Sequence, residues 1–166
     1  MTLYEIENKV RSLATAINAN RGLLPTYGYS MDFAHPHIET DHRGLHYVIV
    51  ERGNESSRKT TNDIDELLFW IFESITFSIS TEFELKHRDE SRDCRRIIFS
   101  KQEELLDKIN PKWKQRALKK HQEVLKQNPF DDLAGLRVTY SGKLRTNGFS
   151  ELEIKRLVLE KYPDPK

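Results

Sequence analysis

The longest run of apolar residues in the chain directly follows a segment with the features of a helix start. A capping residue, Thr61 or Asn62, precedes three acidic residues that complement the positive end of a helix dipole. Residues 67–72 are six consecutive large apolar residues, so a helix here has no polar face and must be covered on all sides. The pattern predicts a central buried helix over about residues 63–88, although the alternation at residues 75–79 also suits a strand.

The rest of the pattern predicts a small sheet and further helices. Apolar residues spaced by three and four, with the capping-box residues Thr2 and Glu5, predict a first helix. β-Branched and aromatic residues predict a hairpin with strands at 36–40 and 45–51, and a third strand at 56–60. The remaining predicted elements are helices at 92–109 and 111–127, a short strand at 136–140, and a final helix that begins at the capping box of Ser150 and Glu153. The predicted fold class is α+β, with an N-terminal helix, a small antiparallel sheet and then a predominantly helical region.

Length and composition narrow the class of protein. A chain of 166 residues is long enough for one hydrophobic core and short for two, so residues 1–166 are predicted to form a single domain. The single cysteine, Cys94, cannot form an internal disulfide, and the N-terminus lacks a basic region followed by an apolar stretch. Because no segment reaches about 18 uninterrupted apolar residues, no membrane span is predicted either. These features predict a cytoplasmic protein.

The overall charge does not select a class of partner. The chain has 27 Lys and Arg against 26 Asp and Glu, which gives a formal net charge of +1. Such a balance favours neither nucleic acid nor cationic partners. Any charged binding surface must therefore be local.

Histidines near the predicted hairpin are the closest approach to a metal site. Alternate residues of a strand share a face, so His35 and His37 could meet Glu39 or Asp41 as zinc ligands. Hairpin histidines are equally explained by solvation or hydrogen bonding, and no cysteine accompanies them. A metal-dependent enzyme is therefore kept as an alternative, while no metal or cofactor is predicted. The histidines in question are His35, His37, His42 and His46.

Two other patterns suggest chemistry that the sequence does not complete. Cys94 lies beside arginines that could lower the pKa of its thiol, but a hydrolase also needs a histidine base within reach. The basic segment Lys112–Lys120 could contact phosphates while Trp113 stacks on a base. On a helix, however, these charges spread around the circumference, and Trp113 has the spacing of a core residue. A nucleic-acid-binding module is kept as the second alternative, while no nucleic-acid partner is predicted.

Two acidic groups could instead face a basic protein. The first lies in the predicted first turn of the central helix, where it also complements the helix dipole. The second is Asp131 and Asp132, which follow Pro129 and Phe130 and also suit a turn. Neither group identifies a function by itself.

Several short strings, taken in order, resemble a known family. They are Pro25–Gly28, Pro36–Glu39, Tyr47–Gly53, Asp65–Phe72 and Asn128–Asp132, with His87–Arg88, Arg95–Arg96 and Gln102–Leu106 between them. In this order they resemble immunity protein 63, a family of immunity proteins from bacterial polymorphic toxin systems. The resemblance covers about residues 23–133 and leaves residues 134–166 as a C-terminal extension.

The resemblance implies a stoichiometric antidote. Such a protein binds the effector domain of its cognate toxin and blocks it, as in contact-dependent inhibition, and it needs neither catalysis nor a cofactor. It would act in the cytoplasm, with no membrane partner and as a monomer apart from the toxin complex. If the toxin is a nuclease with a basic groove, an acidic patch on the antidote could mimic the nucleic-acid backbone. The candidate partner-binding residues are Tyr27, Tyr29, His37, Glu39, Asp41, Glu51, Asp131 and Asp132, each of which a structural role also explains.

Overall fold

Helices and one small sheet make up the protein in a computed structural model that describes residues 1–165. The helices are α1 (Leu3–Ala16), α2 (Ile64–Lys86), α3 (Cys94–Ile109), α4 (Pro111–Gln127), α5 (Ala134–Thr146) and α6 (Glu151–Lys161). The strands are β1 (Thr26–Tyr27), β2 (Pro36–Asp41), β3 (Gly44–Glu51) and β4 (Asn54–Thr61), and a 3₁₀ turn covers Arg21–Leu23. The predicted α+β class is confirmed. No helix within residues 1–165 is long and apolar enough to cross a membrane.

The chain divides into two compact units. Unit 1 contains Met1–Ile79 and Gln102–Ala117, and unit 2 contains Ser80–Lys101 and Leu118–Lys166, of which Lys166 lies outside the described residues. The boundaries fall inside α2, α3 and α4, so neither unit is one continuous stretch of chain. That residues 1–166 form a single domain stays a prediction.

The sheet of unit 1 has the strand order β1-β2-β3-β4. The β2–β3 and β3–β4 pairs are antiparallel, which confirms the predicted hairpin and third strand, whereas β1 pairs with β2 in parallel and was not predicted. Two-residue turns join the antiparallel strands, and both Arg52 and Gly53 have positive φ, as a type I′ turn requires. Ser56 has no partner in the register, and it forms a β-bulge opposite the step from Ile49 to Val50.

The predicted apolar helix lies in the core of unit 1. The side chains of Leu67, Phe69, Ile71 and Phe72 are at most 1% exposed. Trp113 of α4 stacks on Phe72 with ring centroids 5.8 Å apart, and it is 2% exposed. Full burial of a large apolar side chain stabilises a fold by about 1.5–3 kcal/mol, so this cluster is a principal source of stability for unit 1. One face of the sheet packs into the same core through Ile38, Leu45 and Tyr47. One face of α1 does so through Ile6, Val10 and Ala14.

The start of α2 differs in detail from the sequence prediction. Neither Thr61 nor Asn62 caps the helix, because the carboxylate of Asp63 accepts the hydrogen bond from the Asp65 N–H at 2.9 Å. Thr61 instead accepts a hydrogen bond from the Asp63 N–H at 3.0 Å. The helix then continues through residues 75–79, so the strand alternative for that segment is wrong.

Unit 2 contains a small hydrophobic cluster of its own. Leu144 of α5 packs against Ile154 and Val158 of α6, and Tyr140 lies against the same cluster. Tyr140 and Leu144 are four residues apart and therefore share a helical face, which explains why the strand predicted at 136–140 is wrong. The capping box that was predicted to start the last helix is present.

Candidate functional site

The outer face of the sheet, which points away from the core of unit 1, carries polar side chains. Residues that pair directly across antiparallel strands share a face, and the registers place Glu39 opposite His46 and Val48 opposite Arg58. We call this surface the outer face, and its polar residues are His37, Glu39, Asp41, His46, Glu55, Arg58 and Thr60, while Val48 and Val50 share it. Three of the predicted partner-binding residues therefore lie on one surface.

Arg58 joins two carboxylates on the outer face. Its guanidinium donates to Glu39 and to Glu55, each at 2.7 Å. These bonds from Arg58 hold the pKa of both carboxyls below its usual value. His37 adds a third contact, since its Nε2–H donates to Glu39 at 3.1 Å. His37 is only 3% exposed, so it positions Glu39 and offers little surface to a partner.

Asp41 is held by a second set of hydrogen bonds. His46 donates from Nε2 to the Asp41 carboxylate at 2.8 Å, and its Nδ1 lies 2.8 Å from the Thr60 hydroxyl. Arg43 adds a backbone N–H bond at 2.7 Å and a guanidinium ion pair. The bond from His46, followed by those from Arg43, holds the pKa of Asp41 well below its usual range.

The histidines do not form a metal site. His35 lies 3.0 Å from the Leu24 carbonyl oxygen through Nε2, while His37 and His46 bond to carboxylates. Among residues 1–165, no group of three or more His, Cys, Asp or Glu side chains could hold a metal ion. These contacts account for three of the four histidines as structural residues.

The segment from Tyr29 to Ala34, here called the 29–34 loop, has an unusual backbone. Asp32, Phe33 and Ala34 have φ angles of 61°, 55° and 58°, which are left-handed values that cost a residue with a side chain roughly 1–2 kcal/mol. The strain persists because the loop is tied down, with the Ala34 N–H donating to the Val50 carbonyl at 2.9 Å. In addition, the Asp32 carboxylate accepts from the Gly53 N–H at 3.2 Å.

The 29–34 loop exposes large apolar side chains. Tyr29, Met31 and Phe33 are 61%, 56% and 89% exposed. Strained backbone and exposed aromatic residues are both enriched at binding sites. Tyr29 was among the predicted residues, whereas Met31 and Phe33 were missed because apolar residues without helical or strand periodicity give no signal of their own. Their position in a loop between Pro25 and Pro36 could have indicated that no core element buries them.

A cavity of about 510 Å³ lies beside the 29–34 loop. Tyr27 lines it, but its hydroxyl is buried without a hydrogen-bond partner, and burial raises the pKa of that phenol. Tyr27 is therefore chiefly a packing residue. The cavity is also lined by Glu7, Arg11, Arg21, Leu24, Tyr29 and Met31.

The acidic pair Asp131 and Asp132 belongs to unit 2, whereas the sheet belongs to unit 1. Asp132 accepts two hydrogen bonds from Arg96, at 2.7 and 2.9 Å, and one from the Asp93 N–H at 2.9 Å. The bonds from Arg96 lower the pKa of Asp132 to about 2. Asp131 forms an ion pair with Arg137. Both carboxylates are neutralised inside their unit, whereas Glu51 of unit 1 is exposed at the end of β3.

Three residues of the basic segment, Trp113, Lys114 and Arg116, are engaged within unit 1, and the tryptophan ring offers no stacking platform. Trp113 is 2% exposed, and its Nε1–H donates to Asp65 at 3.1 Å. Lys114 pairs with Asp107 at 2.9 Å, and Arg116 pairs with Glu66 at 2.8 Å. A base cannot stack on a buried ring, so this geometry disfavours the nucleic-acid interpretation.

Comparison with known proteins gives one finding. The sequence model of one protein family, described as immunity protein 63, matches residues 41–123, which is half of the chain. The matched range includes β3, β4 and α2, and the 29–34 loop lies outside it. Neither a curated protein nor a solved structure matches the chain.

Proposed function

We propose that this chain, which belongs to the immunity protein 63 family, binds the effector domain of a cognate bacterial toxin and neutralises it one to one. It acts by occupying the toxin in the cytoplasm of the producing cell, as a monomer and without turnover or a cofactor. The observation that carries the proposal is the 29–34 loop, a strained and tethered segment that presents three exposed apolar side chains.

The loop has the properties of a binding hot spot. A few aromatic or large apolar residues supply most of the affinity of a protein interface, and they do so best when they are already fixed in the bound conformation. The Thr26 hydroxyl donates to the Tyr29 carbonyl at 2.5 Å, and the Asp32 carboxylate accepts from the Phe33 N–H at 2.9 Å. These bonds reduce the entropy that the loop would lose on binding.

The outer face supplies a polar surface in the same unit. Glu39 and Asp41 remain ionised because arginine and histidine side chains donate to them, so they are held in fixed orientations. Ordered charges contribute more to specificity and association rate than to affinity. We assign the apolar contact to the 29–34 loop and the selection of partner to the outer face and to Glu51.

Co-expression with the toxin-like reading frame beside the gene tests the function. We expect the chain to rescue growth and to co-purify with the toxin domain as a one-to-one complex. Cell death without a complex would contradict the pairing, and rescue without a complex would contradict inhibition by binding.

Replacement of Phe33 tests the role of the loop. Phe33→Ser is expected to weaken the toxin complex by about 10- to 100-fold, because a central aromatic contact contributes about 1–3 kcal/mol. Its free energy of unfolding should change by less than about 0.5 kcal/mol, because the side chain is 89% exposed. Isothermal titration calorimetry and urea unfolding measure the two quantities.

A matched control is available in the other unit. Leu152 is 82% exposed on α6, so Leu152→Ser removes a similarly exposed apolar side chain. We expect it to leave the affinity unchanged. Equal weakening by Leu152→Ser and Phe33→Ser would show that the loop has no special role.

A further inference from the structure

Strand β4 is an open edge of the sheet in unit 1. The strand order ends at β4, whereas the opposite edge strand, β1, has only two residues. Seven of the eight residues of β4 pair with β3, none pairs with a strand on the other side, and six of the eight are exposed. A long open edge strand presents unpaired peptide groups to which another strand can bind.

The hydrogen-bonding pattern of the sheet identifies which peptide groups of β4 point away from β3. The Val50 carbonyl accepts from the Ala34 N–H on the β2 side of β3, so the peptide groups of Tyr47 and Ile49 point to β4. Their partners, Lys59 and Ser57, therefore bond back to β3. The N–H and C=O groups of the alternate residues on β4, Arg58 and Thr60, point away from the sheet.

Charge argues against a second copy of this chain on that edge. Symmetric antiparallel pairings centred on Arg58 or on Lys59 place Arg58 opposite Arg58, or Lys59 opposite Lys59. Like charges directly opposite each other destabilise a strand pair. Natural edge strands use lysine in this way to avoid self-association.

The same lysine favours an acidic partner. The Lys59 ammonium lies over the rings of Tyr47 and Trp70, at 5.9 and 5.6 Å from their centroids, on the core-facing side of the edge. Arg58 on the outer face is already paired with two carboxylates. Lys59 has no carboxylate partner among residues 1–165, so a carboxylate brought alongside β4 would complement it.

We propose that β4 receives an extended segment of the toxin effector domain as a fifth strand, with an Asp or Glu of that segment beside Lys59. The inference rests on the proposed function and specifies how the partner binds. Backbone hydrogen bonds to Arg58 and Thr60 supply part of the affinity, and the carboxylate beside Lys59 sets the register of the added strand.

Replacement of Thr60 tests the added strand in the full chain. Thr60→Pro removes an outward N–H, which an edge strand tolerates but an added strand requires. It also removes the hydroxyl near His46, so Thr60→Val, which loses the hydroxyl and keeps the N–H, is the matched control. We expect Thr60→Pro to bind the toxin domain at least 10-fold more weakly than Thr60→Val by calorimetry.

The outcomes separate the two proposals. If the unmodified chain does not bind the toxin domain, the proposed function fails. If the unmodified chain binds and the two Thr60 variants have equal affinity, the added strand is wrong and the function stands.

Hydrogen exchange provides a test that does not depend on the folding of a variant. In the free chain the amides of Arg58 and Thr60 should exchange rapidly, whereas those of Ser57 and Lys59 should be protected by β3. Toxin binding should slow exchange at Arg58 and Thr60 by at least 10-fold. Unchanged exchange at both amides in the complex would overturn the proposal.

A charge reversal tests the carboxylate. Lys59→Glu should weaken the complex more at low salt than at high salt, because the lost attraction is screened. Lys155→Glu makes the same change at an exposed lysine of α6 in unit 2. Equal losses for the two variants would exclude an acidic residue beside Lys59.

Discussion

At the scale of single residues, the acidic pair shows how a carboxylate can be misread from sequence. Asp132 follows a proline and an aromatic residue, which suits both a turn and a binding site. Its actual partners, Arg96 and the Asp93 N–H, lie 36 and 39 residues away in the sequence. No local pattern encodes such contacts, so the neutralisation of Asp132 could not be predicted.

The same residue makes a pH-dependent contribution to stability. The bonds from Arg96 lower the pKa of Asp132 from 3.8 to about 2, so its contribution is present above about pH 4 and is lost as the pH falls towards 2. We expect Asp132→Asn to lower the melting temperature at pH 7 and to reduce its dependence on pH between 4 and 2. Calorimetric scans across that range measure both effects. Glu51→Gln, at an exposed carboxylate outside this cluster, should change neither the melting temperature nor its dependence on pH. If the melting temperature of Asp132→Asn depends on pH as steeply as that of the unmodified chain, Asp132 does not make this contribution.

At the scale of elements, local signals located those elements that depend on local chemistry. The capping boxes of α1 and α6 were found in the sequence because short-range spacing specifies them, and the hairpin strands were found through their β-branched and aromatic residues. The two-residue strand β1 was missed because only its pairing with β2 defines it. The segment 136–140 was misassigned because the packing of Tyr140 and Leu144 on one helical face against α6 overrides its β propensity.

The 29–34 loop yields a prediction about strain. Glycine adopts positive φ without a steric penalty, so Ala34→Gly should relieve about 1 kcal/mol of backbone strain in the folded chain. This gain should offset the destabilisation that results because glycine gives the unfolded chain more conformational entropy. Its free energy of unfolding should therefore stay within about 0.5 kcal/mol of the original value or rise. Ala117→Gly, at a buried helical position of α4, should instead lower it by about 1 kcal/mol or more. Urea unfolding compares the two, and an equal loss at both positions would show that Ala34 is not strained.

At the scale of the whole molecule, the pattern of apolar and polar positions correctly indicated the α+β class of fold but not the division into two units. The hydrophobic core of unit 1 contains residues of α1, the sheet, α2, α3 and α4, while the cluster between α5 and α6 contains three buried side chains. The apolar residues of α5 and α6 gave no signal in the sequence that they form a cluster separate from the larger core. That division depends on tertiary packing, which the pattern along one chain does not specify.

The core of unit 1 is larger than the cluster of α5 and α6, so the two should differ in how strongly they protect amides from hydrogen exchange. Regions with few buried apolar contacts open more readily, so amides of α5 and α6 should exchange faster than those in the first half of α2. Leu144→Ala should further accelerate exchange in α5 and α6 while leaving residues 67–72 nearly unchanged. Hydrogen exchange with mass spectrometry resolves these segments. If Leu144→Ala accelerated hydrogen exchange equally in α5 and α6 and in residues 67–72, the chain would open as one cooperative body.

The discontinuity of unit 1 has a consequence for how the protein is made. A nascent chain that has been synthesised only to residue 101 lacks Leu105, Leu106, Trp113 and Ala117, all of which belong to the core around α2. At about 5–20 residues per second, synthesis from residue 79 to residue 117 takes roughly 2–8 s. During that interval α2 has been synthesised without α3 and α4, so the core around residues 67–72 can be completed only after residue 117 has been added.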